Sequence, residues 1–158
     1  MKLFCIGKYG PYPKAGESCS CYVMTHNGKN IVIDLGCGAL SKLLSVLPSR
    51  DIDALVLSHL HADHMGDALT LRYALEVDTK LGRRTEPLPV YLPAEPAAES
   101  SLLSSHAMMN AHLITDGMRI QLFGMDVAFA EMPHPVPSFA MLFESGGRKL
   151  VYSGDTRD

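Results

Sequence analysis

A chain of 158 residues with 47% hydrophobic content is long enough for one domain with a sizeable core, and too short to favour a separate second domain. Its formal net charge of -3 disfavours a protein whose main role is to hold long nucleic acid through its phosphates. No stretch has the length of a signal peptide's apolar region or of a membrane span, so we expect a cytoplasmic protein without membrane association.

Apolar periodicity and turn residues predict strands and helices in alternation along the chain. In the first half we predict strands at 2–7, 20–25, 30–34 and 54–58, and helices at 40–47 and 67–78. In the second half we predict a strand at 90–92, a helix at 95–105, and strands at 119–123, 126–131, 139–144 and 150–153. The segment 82–89 is predicted to be a polar loop, and the Met-rich stretch between His106 and His112 a helix end with its connecting loop.

The densest chemical signal is the segment H-L-H-A-D-H at 59–64, which carries three imidazoles and a carboxylate within six residues. It follows the nearly continuous apolar run 54–58, which is typical of a strand buried on both faces. Loops at the carboxyl ends of such strands are where α/β sheets bind ligands. Imidazole nitrogens and carboxylate oxygens are ligands of zinc and of other first-row divalent ions. The alternative, a histidine-rich surface loop, is disfavoured by the adjoining strand.

The spacing within this cluster favours two metal ions over one. Four donors so close along the chain cannot all reach a single ion without severe crowding of the backbone. We therefore predict that His59 and His61 bind one ion, and that Asp63 and His64, after a tight bend, bind a second.

Four motifs, in order, resemble those of the metallo-β-lactamase superfamily, a group of binuclear metallohydrolases. They are D-L-G-C-G at 34–38 after a strand, L-S-H-L-H-A-D-H-M-G-D at 57–67, M-P-H-P at 132–135 and Y-S-G-D-T at 152–156. Ser58 before the first histidine and the Y-S-G-D-T ending are closer to the ribonuclease Z and phosphodiesterase branches than to true β-lactamases. The resemblance implies an α/β fold, the αββα sandwich of that superfamily, of which this chain would form the N-terminal half.

The resemblance also implies a role for each matching residue. It would place His59, His61 and His134 on the first ion, Asp63 and His64 on the second, and Asp155 between both. Asp63 is further expected to transfer the proton during catalysis. Asp34 and Ser58 are expected to orient metal ligands without touching the ions. Zinc is the favoured metal for both positions, with iron or manganese as alternatives.

Three of these roles have simpler alternatives. His134 lies between two prolines and also suits a rigid turn, and Asp155 also suits an ordinary turn after a strand. For Asp34, a strand-ending turn without a functional role is equally well supported. Full-length members of the superfamily continue past S-G-D-T into a second half with a further histidine ligand, so we expect residues 1–158 to be a single, C-terminally truncated domain. The remaining histidines, His26, His106 and His112, are poor substitutes by position.

The implied function is a metal-dependent hydrolase that activates water with two ions. A phosphodiester is the favoured substrate, either small and nucleotide-like or RNA, although extended binding of nucleic acid is not expected. The basic cluster Lys80, Arg83 and Arg84 is more consistent with a solvated loop than with a substrate site. The alternatives are hydrolysis of an ester, thioester or lactone by the same metal core, and an incomplete metal-binding module without activity.

We also expect self-association of the chain and free, buried cysteines. If the second half of the sandwich is missing, an uncovered sheet would favour a homo-oligomer. The cysteines at 5, 19, 21 and 37 lack C-x-x-C spacing and are predicted to be buried free thiols.

Overall fold

Two β-sheets packed face to face form the centre of the molecule in the computed structural model, which describes residues 1–157. The first sheet has the strand order β1 to β6, with β1 (Lys2–Gly7), β2 (Cys21–His26), β3 (Lys29–Leu35), β4 (Ala54–Val56), β5 (Leu88–Pro93) and β6 (Met109–Ile114). The strands β1, β2 and β3 pair antiparallel, whereas β3 to β6 run parallel. The second sheet is antiparallel, in the order β10, β9, β8, β7, with β7 (Arg119–Leu122), β8 (Met125–Met132), β9 (Ser138–Ser145) and β10 (Arg148–Tyr152).

Helices connect the parallel strands, because such strands need a crossover to return to the same end of the sheet. They are α1 (Ala39–Leu44), α2 (Ala62–Met65), α3 (Ala68–Lys80) and α4 (Ala97–Ser104), and a 3-10 turn covers Ser49–Asp51. Their buried apolar side chains pack on the outer face of the first sheet. Within residues 1–157, no helix is long and apolar enough to cross a membrane.

The first sheet is apolar on both faces, which explains why β3 and β4 are nearly continuous apolar runs. Successive side chains of a strand point to opposite faces. Thus Val32 and Leu55 belong to the core beneath the helices, whereas Ile31 and Ile33 belong to the core between the two sheets. The order of helices, first sheet and second sheet confirms the predicted α/β class of sandwich.

The residues of the two tight hairpin turns explain their backbone conformation. Asn27 and Gly28 join β2 to β3 with φ values of 49° and 73°, the left-handed conformation that a two-residue hairpin loop requires. Gly146 and Gly147 join β9 to β10 in the same way.

The largest error in the predicted elements is β6. The stretch between His106 and His112 was predicted to be a helix end and loop, but Met109–Ile114 is a strand paired parallel to β5. This strand lies at the edge of the sheet, and its mixed sequence lacks the apolar alternation by which strands are recognised. The neighbouring strand β5 is also longer than predicted, since it includes Leu88 and two prolines from the predicted loop and its flank.

The cysteines are all free, as predicted, but they are not all buried. Cys19 and Cys21 are buried, Cys37 is partly buried, and Cys5 is exposed because β1 is an edge strand with four exposed residues. The outer face of the second sheet carries small and apolar side chains, including Val151, which is 68% exposed. Self-association through such a face stays a prediction.

Candidate metal centre

The H-L-H-A-D-H segment begins three residues after β4, at the carboxyl end of the parallel strands. His59 is fully buried there, and His61 precedes the first residue of α2. The tight bend expected after His61 is this single helical turn, which carries Asp63 and His64, both buried. The loop is therefore held between a central strand and a short helix, a rigid setting for side chains that must converge.

Three imidazoles meet at one side of the cluster. His134, in the loop between β8 and β9, brings its ring from the second sheet to within 4.8 Å of His59 and 4.9 Å of His61, measured between ring centroids. His59 and His61 are themselves 4.9 Å apart. One nitrogen from each of the three rings lies within 4.8 Å of the other two, a separation that one metal ion can span.

A second group joins His59, Asp63 and His64, with one donor atom of each within 4.8 Å of the others. His59 thus lies in both groups, whereas the spacing argument assigned it only to the first. Asp155 follows β10 and lies beside this second group. Its carboxylate oxygens are 3.3 Å from His64 Nε2 and 4.0 Å from His59 Nε2. All six predicted ligands are therefore brought together, although the roles assigned to them stay predictions.

His59 provides the observation that tests whether a metal suits this cluster. Its Nε2 is buried without a hydrogen-bond partner, the one side-chain nitrogen or oxygen in that condition among residues 1–157. Burial, together with the neighbouring His64, His134 and His61, lowers the pKa of His59 to about 2, so the ring is neutral and Nε2 carries a lone pair. A buried polar atom normally has a partner. A metal ion among these donors is such a partner, so the residues fit a metal.

Asp34 orients the rings of His64, by a direct hydrogen bond, and of His59, through Ser58. This buried residue near the end of β3 accepts hydrogen bonds from the Ser58 backbone N–H at 2.7 Å and the Ser58 hydroxyl at 2.8 Å. It also accepts one from His64 Nδ1 at 2.7 Å. Because the hydroxyl hydrogen of Ser58 is directed at Asp34, the Ser58 oxygen accepts a hydrogen bond from His59 Nδ1 at 3.1 Å.

These hydrogen bonds assign the tautomers of three rings. With Nδ1 of His59 and His64 acting as donors, both rings present Nε2 to the cluster. His134 donates in the same way from Nδ1 to the Val136 carbonyl at 3.1 Å. A ring whose other nitrogen is held in this manner is the usual arrangement of a histidine that binds a metal. Asp34 and Ser58 thus have the positions expected of orienting residues.

His64 has a different electrostatic setting from His59. Burial alone would lower its pKa, but the hydrogen bond and charge of Asp34 oppose burial and raise the pKa above its ordinary value. Asp155 and Asp63 add to this increase. The second group is therefore rich in negative charge, which favours a cation.

Tyr152 is the site residue that the sequence analysis missed. Its hydroxyl donates to Asp34 Oδ2 at 2.5 Å, across 118 positions of sequence. In the sequence it was only the first letter of Y-S-G-D-T, and no local pattern links it to the end of β3.

Two glycines bring backbone close to Asp63. A Cβ at Gly36 would lie 1.8 Å from the Asp63 carbonyl oxygen, so this position has no room for a side chain. A Cβ at Gly10, in the loop between β1 and β2, would lie 2.6 Å from Asp63 Oδ2. The loop between β1 and β2 therefore borders the cluster.

The other histidines have different surroundings. His26 is partly buried, and its Nε2 is 3.3 Å from the Ser145 hydroxyl. His106 pairs with Glu76 at 3.0 Å, and His112 stacks on Tyr91. In the part of the chain that the structure describes, none of the three joins a potential metal group.

Comparison with known proteins agrees with this geometry. A family model described as the metallo-beta-lactamase superfamily matches residues 15–157. The chain belongs to this superfamily. Its four motifs, found in order along the sequence, are therefore family motifs, and its helix-backed pair of sheets is the family's fold.

Three relatives illustrate the range of the superfamily. The probable metallo-hydrolase YhfI of Bacillus subtilis is 30% identical over 156 residues, covering 99% of this chain and 64% of YhfI. The crystal structure of YhfI matches 97% of this chain and 62% of its own, with a TM-score of 0.92 and 29% identity. Ribonuclease Z of Methanopyrus kandleri is 27% identical over 134 residues, covering 84% of this chain and 46% of that protein. The cGMP-dependent 3',5'-cGMP phosphodiesterase A of Dictyostelium discoideum is 26% identical over 144 residues, covering 89% and 16%. The chain therefore spans less than two thirds of the length of each of these relatives.

Proposed function

We propose that this protein is a metal-dependent hydrolase of phosphodiesters that works with two divalent ions, zinc being favoured. The observation that carries the proposal is the buried, unpartnered Nε2 of His59, which faces donor atoms on both sides. A buried imidazole nitrogen with no hydrogen-bond partner costs stability unless it has a ligand to bind. The proposal gives that atom its function.

Each side chain of the cluster has one task in this proposal. His59, His61 and His134 would hold the first ion with one ring nitrogen each, as three neutral nitrogen donors do in catalytic zinc sites. Asp63 and His64 hold the second ion, and Asp155 lies between the two positions. Iron or manganese would also accept this mixture of nitrogen and oxygen donors.

Bound divalent ions supply an activated water and stabilise the negative charge that develops on the attacked phosphoryl group. Asp63, which has a carboxylate oxygen within 4.8 Å of a nitrogen of both His59 and His64, would accept the proton released in this reaction. Asp34 and Ser58 keep His59 and His64 in the tautomer that leaves Nε2 free. No side chain of the protein is needed as a nucleophile.

Two observations favour a phosphodiester as the substrate. Two of the relatives are named as a ribonuclease and as a cyclic nucleotide phosphodiesterase. The loop that borders Asp63 at Gly10 also carries two exposed lysines, Lys8 and Lys14, within four residues of that glycine. Positive charge on a loop that reaches the centre favours an anionic substrate.

The basic cluster at 80–84 does not add to this argument. Arg84 donates to the Ile52 carbonyl at 2.9 Å, before the start of β4 and so at the opposite end of that strand from His59. Arg83 lies 3.8 Å from Asp78, and Lys80 lies 4.0 Å from Glu76. These side chains serve the local structure of α3 and the loop that follows it.

The test combines metal content with a substrate panel. The protein is purified without added metal or chelator, analysed by elemental mass spectrometry, and assayed on phosphodiester, thioester and lactone substrates. We expect about two metal equivalents per chain and turnover of the phosphodiester. His61→Ala should lose the first ion and all turnover, whereas the matched control His112→Ala, which lies outside both groups, should keep both.

Each other outcome contradicts a defined part of the proposal. Turnover confined to thioesters or lactones would replace the substrate class but keep the metal mechanism. Two ions without turnover of any substrate would support an inactive metal-binding module. Unchanged turnover in His61→Ala would exclude the mechanism itself.

A further inference from the structure

The Asp34 carboxylate receives more hydrogen bonds than a single orienting role requires. Its Oδ2 atom accepts from the Ser58 hydroxyl, from His64 Nδ1 and from the Tyr152 hydroxyl, at 2.8, 2.7 and 2.5 Å. Its Oδ1 atom accepts from the Ser58 backbone at 2.7 Å. The φ angle of Asp34 is +54°, a conformation that a residue with a side chain adopts only when its surroundings hold it there.

Tyr152 differs from the other donors in origin. Ser58 and His64 belong to the first sheet and its metal loop, whereas Tyr152 ends β10 of the second sheet. The tyrosine is held by pairing with Met141 of β9 and by packing on Tyr22, with ring centroids 5.4 Å apart. Among the donors to Asp34 that the described residues provide, it is the one from the second sheet.

A second acceptor competes for the His64 proton. The Ser58 oxygen lies 3.4 Å from His64 Nδ1, against 2.7 Å for Asp34 Oδ2. If the Asp34 carboxylate rotated away from His64, Nδ1 of His64 could bond to Ser58 instead. The imidazole ring would then turn, and its Nε2 would no longer point at the cluster. The hydrogen bond from Tyr152, which is anchored in the other sheet, opposes this rotation of the Asp34 carboxylate.

We propose that Tyr152 is a positioning residue, whose hydroxyl fixes the Asp34 carboxylate so that Nε2 of His64 stays directed at the metal centre. This inference rests on the proposed metal site. Tyr152 belongs to neither group of potential metal ligands, and in this proposal it acts through Asp34 on His64. The orientation of His64, a proposed ligand of the second ion, therefore depends on how the two sheets pack.

The variant Tyr152→Phe tests the role of the hydroxyl, because phenylalanine keeps the ring and its packing. The matched control is Tyr22→Phe, which removes a hydroxyl from the neighbouring ring but takes no hydrogen bond from Asp34. Thermal unfolding of both metal-free variants shows whether the fold is retained. If both variants fold, a difference between them in the measurements below is caused by the lost hydrogen bond to Asp34 and not by altered packing.

The first measurement needs no metal. In metal-free protein labelled with ¹⁵N, NMR follows the Nδ1 proton of His64 and its exchange with water. We expect this exchange to become several-fold faster in Tyr152→Phe and to stay unchanged in Tyr22→Phe, because the hydrogen bond to Asp34 is loosened only in the first. Equal exchange in the two variants would overturn the proposal.

The second measurement is metal affinity, by competition with a chromophoric chelator using zinc as the probe. Loss of an outer hydrogen-bond partner typically weakens metal binding 10- to 100-fold, and we expect about tenfold for Tyr152→Phe, confined to the weaker of two binding steps. The absorption spectrum of the cobalt-substituted protein should change with it. If the unmodified protein binds no metal, the proposed function fails, whereas the exchange of the His64 proton still decides the role of Tyr152.

Discussion

The histidines of this protein differ in which ring nitrogen is hydrogen-bonded to the protein and which one is left unbonded. In His59, His64 and His134 the Nδ1 atom has an acceptor in the protein, and Nε2 is left for a ligand. His106 instead uses Nε2 to contact Glu76, so that nitrogen is already occupied. The distinction between a metal-binding and a structural histidine therefore lies in hydrogen bonds, which the residue type alone does not reveal.

At this scale we predict that the metal-free protein loses stability as the pH falls below about 6.5. The folded state keeps His59 neutral, because burial lowers its pKa to about 2, whereas the unfolded chain takes up a proton near the ordinary value of 6.5. Stability is lost on acidification wherever the unfolded state binds more protons than the folded state. His64 has the opposite sign: its raised pKa stabilises the fold below 6.5, and this contribution is lost as the pH rises through the folded-state value.

Urea denaturation midpoints, measured in the presence of chelator at about pH 7.5 and about pH 5.5, show which of the two contributions, that of His59 or that of His64, is larger. His59→Asn should show a smaller loss between the two pH values than the unmodified protein. His26→Asn, at the β2–β3 turn, should keep the loss of the unmodified protein. An equal loss in His59→Asn would show that another group governs the acid sensitivity.

Among the elements, the end of β3 and the metal loop are packed without space between them. Gly36 follows β3 directly, and its Cα faces the backbone of Asp63. A side chain here meets a carbonyl group rather than a flexible side chain, so it cannot be accommodated by a rotamer change. The first glycine of D-L-G-C-G is needed for this close contact.

We therefore predict that Gly36→Ala displaces the metal loop. The free energy of unfolding should fall by about 3 kcal/mol, the upper end for overpacking, and metal content should fall with it. Gly82→Ala is the matched control, since its Cβ would meet nothing within 4 Å and only its positive φ carries a cost, about 1 kcal/mol. Chemical denaturation and elemental analysis of both variants measure the two effects. Full metal content in Gly36→Ala would contradict the packing argument.

Elements with strong local signals were predicted with errors at their ends only. The hairpin strands β2 and β3 are marked by Asn27-Gly28, and α3 was predicted from 67 to 78 against Ala68–Lys80 observed. In contrast, β6 was missed, because an edge strand buries few side chains and its pairing with β5 supplies the missing stability. Local propensity determines an element only where tertiary contacts do not outweigh it.

For the whole molecule, the important feature is that the candidate centre draws on both sheets. His59 and His61 come from the loop after β4, whereas His134 and Asp155 come from loops of the second sheet. Apart from a few hydrogen bonds, such as that from Tyr152 to Asp34, the sheets meet through an apolar core. A bound ion would thus connect two layers that are joined mainly by nondirectional contacts.

We predict that metal binding stabilises the whole fold. Free metal at 100 times its dissociation constant should add about 2.7 kcal/mol to the free energy of unfolding, measured as the difference between zinc-loaded and chelator-treated protein. His134→Ala removes the ligand from the second sheet and should lose most of this increment. His112→Ala should retain it. A full increment in His134→Ala would mean that the ions do not connect the sheets.

The sequence alone was enough to predict the class of the fold and the family, and to select the six candidate ligands that the structure brings together. It did so because family motifs are contiguous, and because a strand buried on both faces leaves an unbroken apolar run before the metal loop. Only the tertiary structure decided that His59 lies in both groups of donors, that Nε2 is the free nitrogen of three rings, and that Tyr152 bonds to Asp34. These facts depend on atoms that lie far apart along the chain and meet only when the two sheets pack, and no local pattern of residues records such meetings.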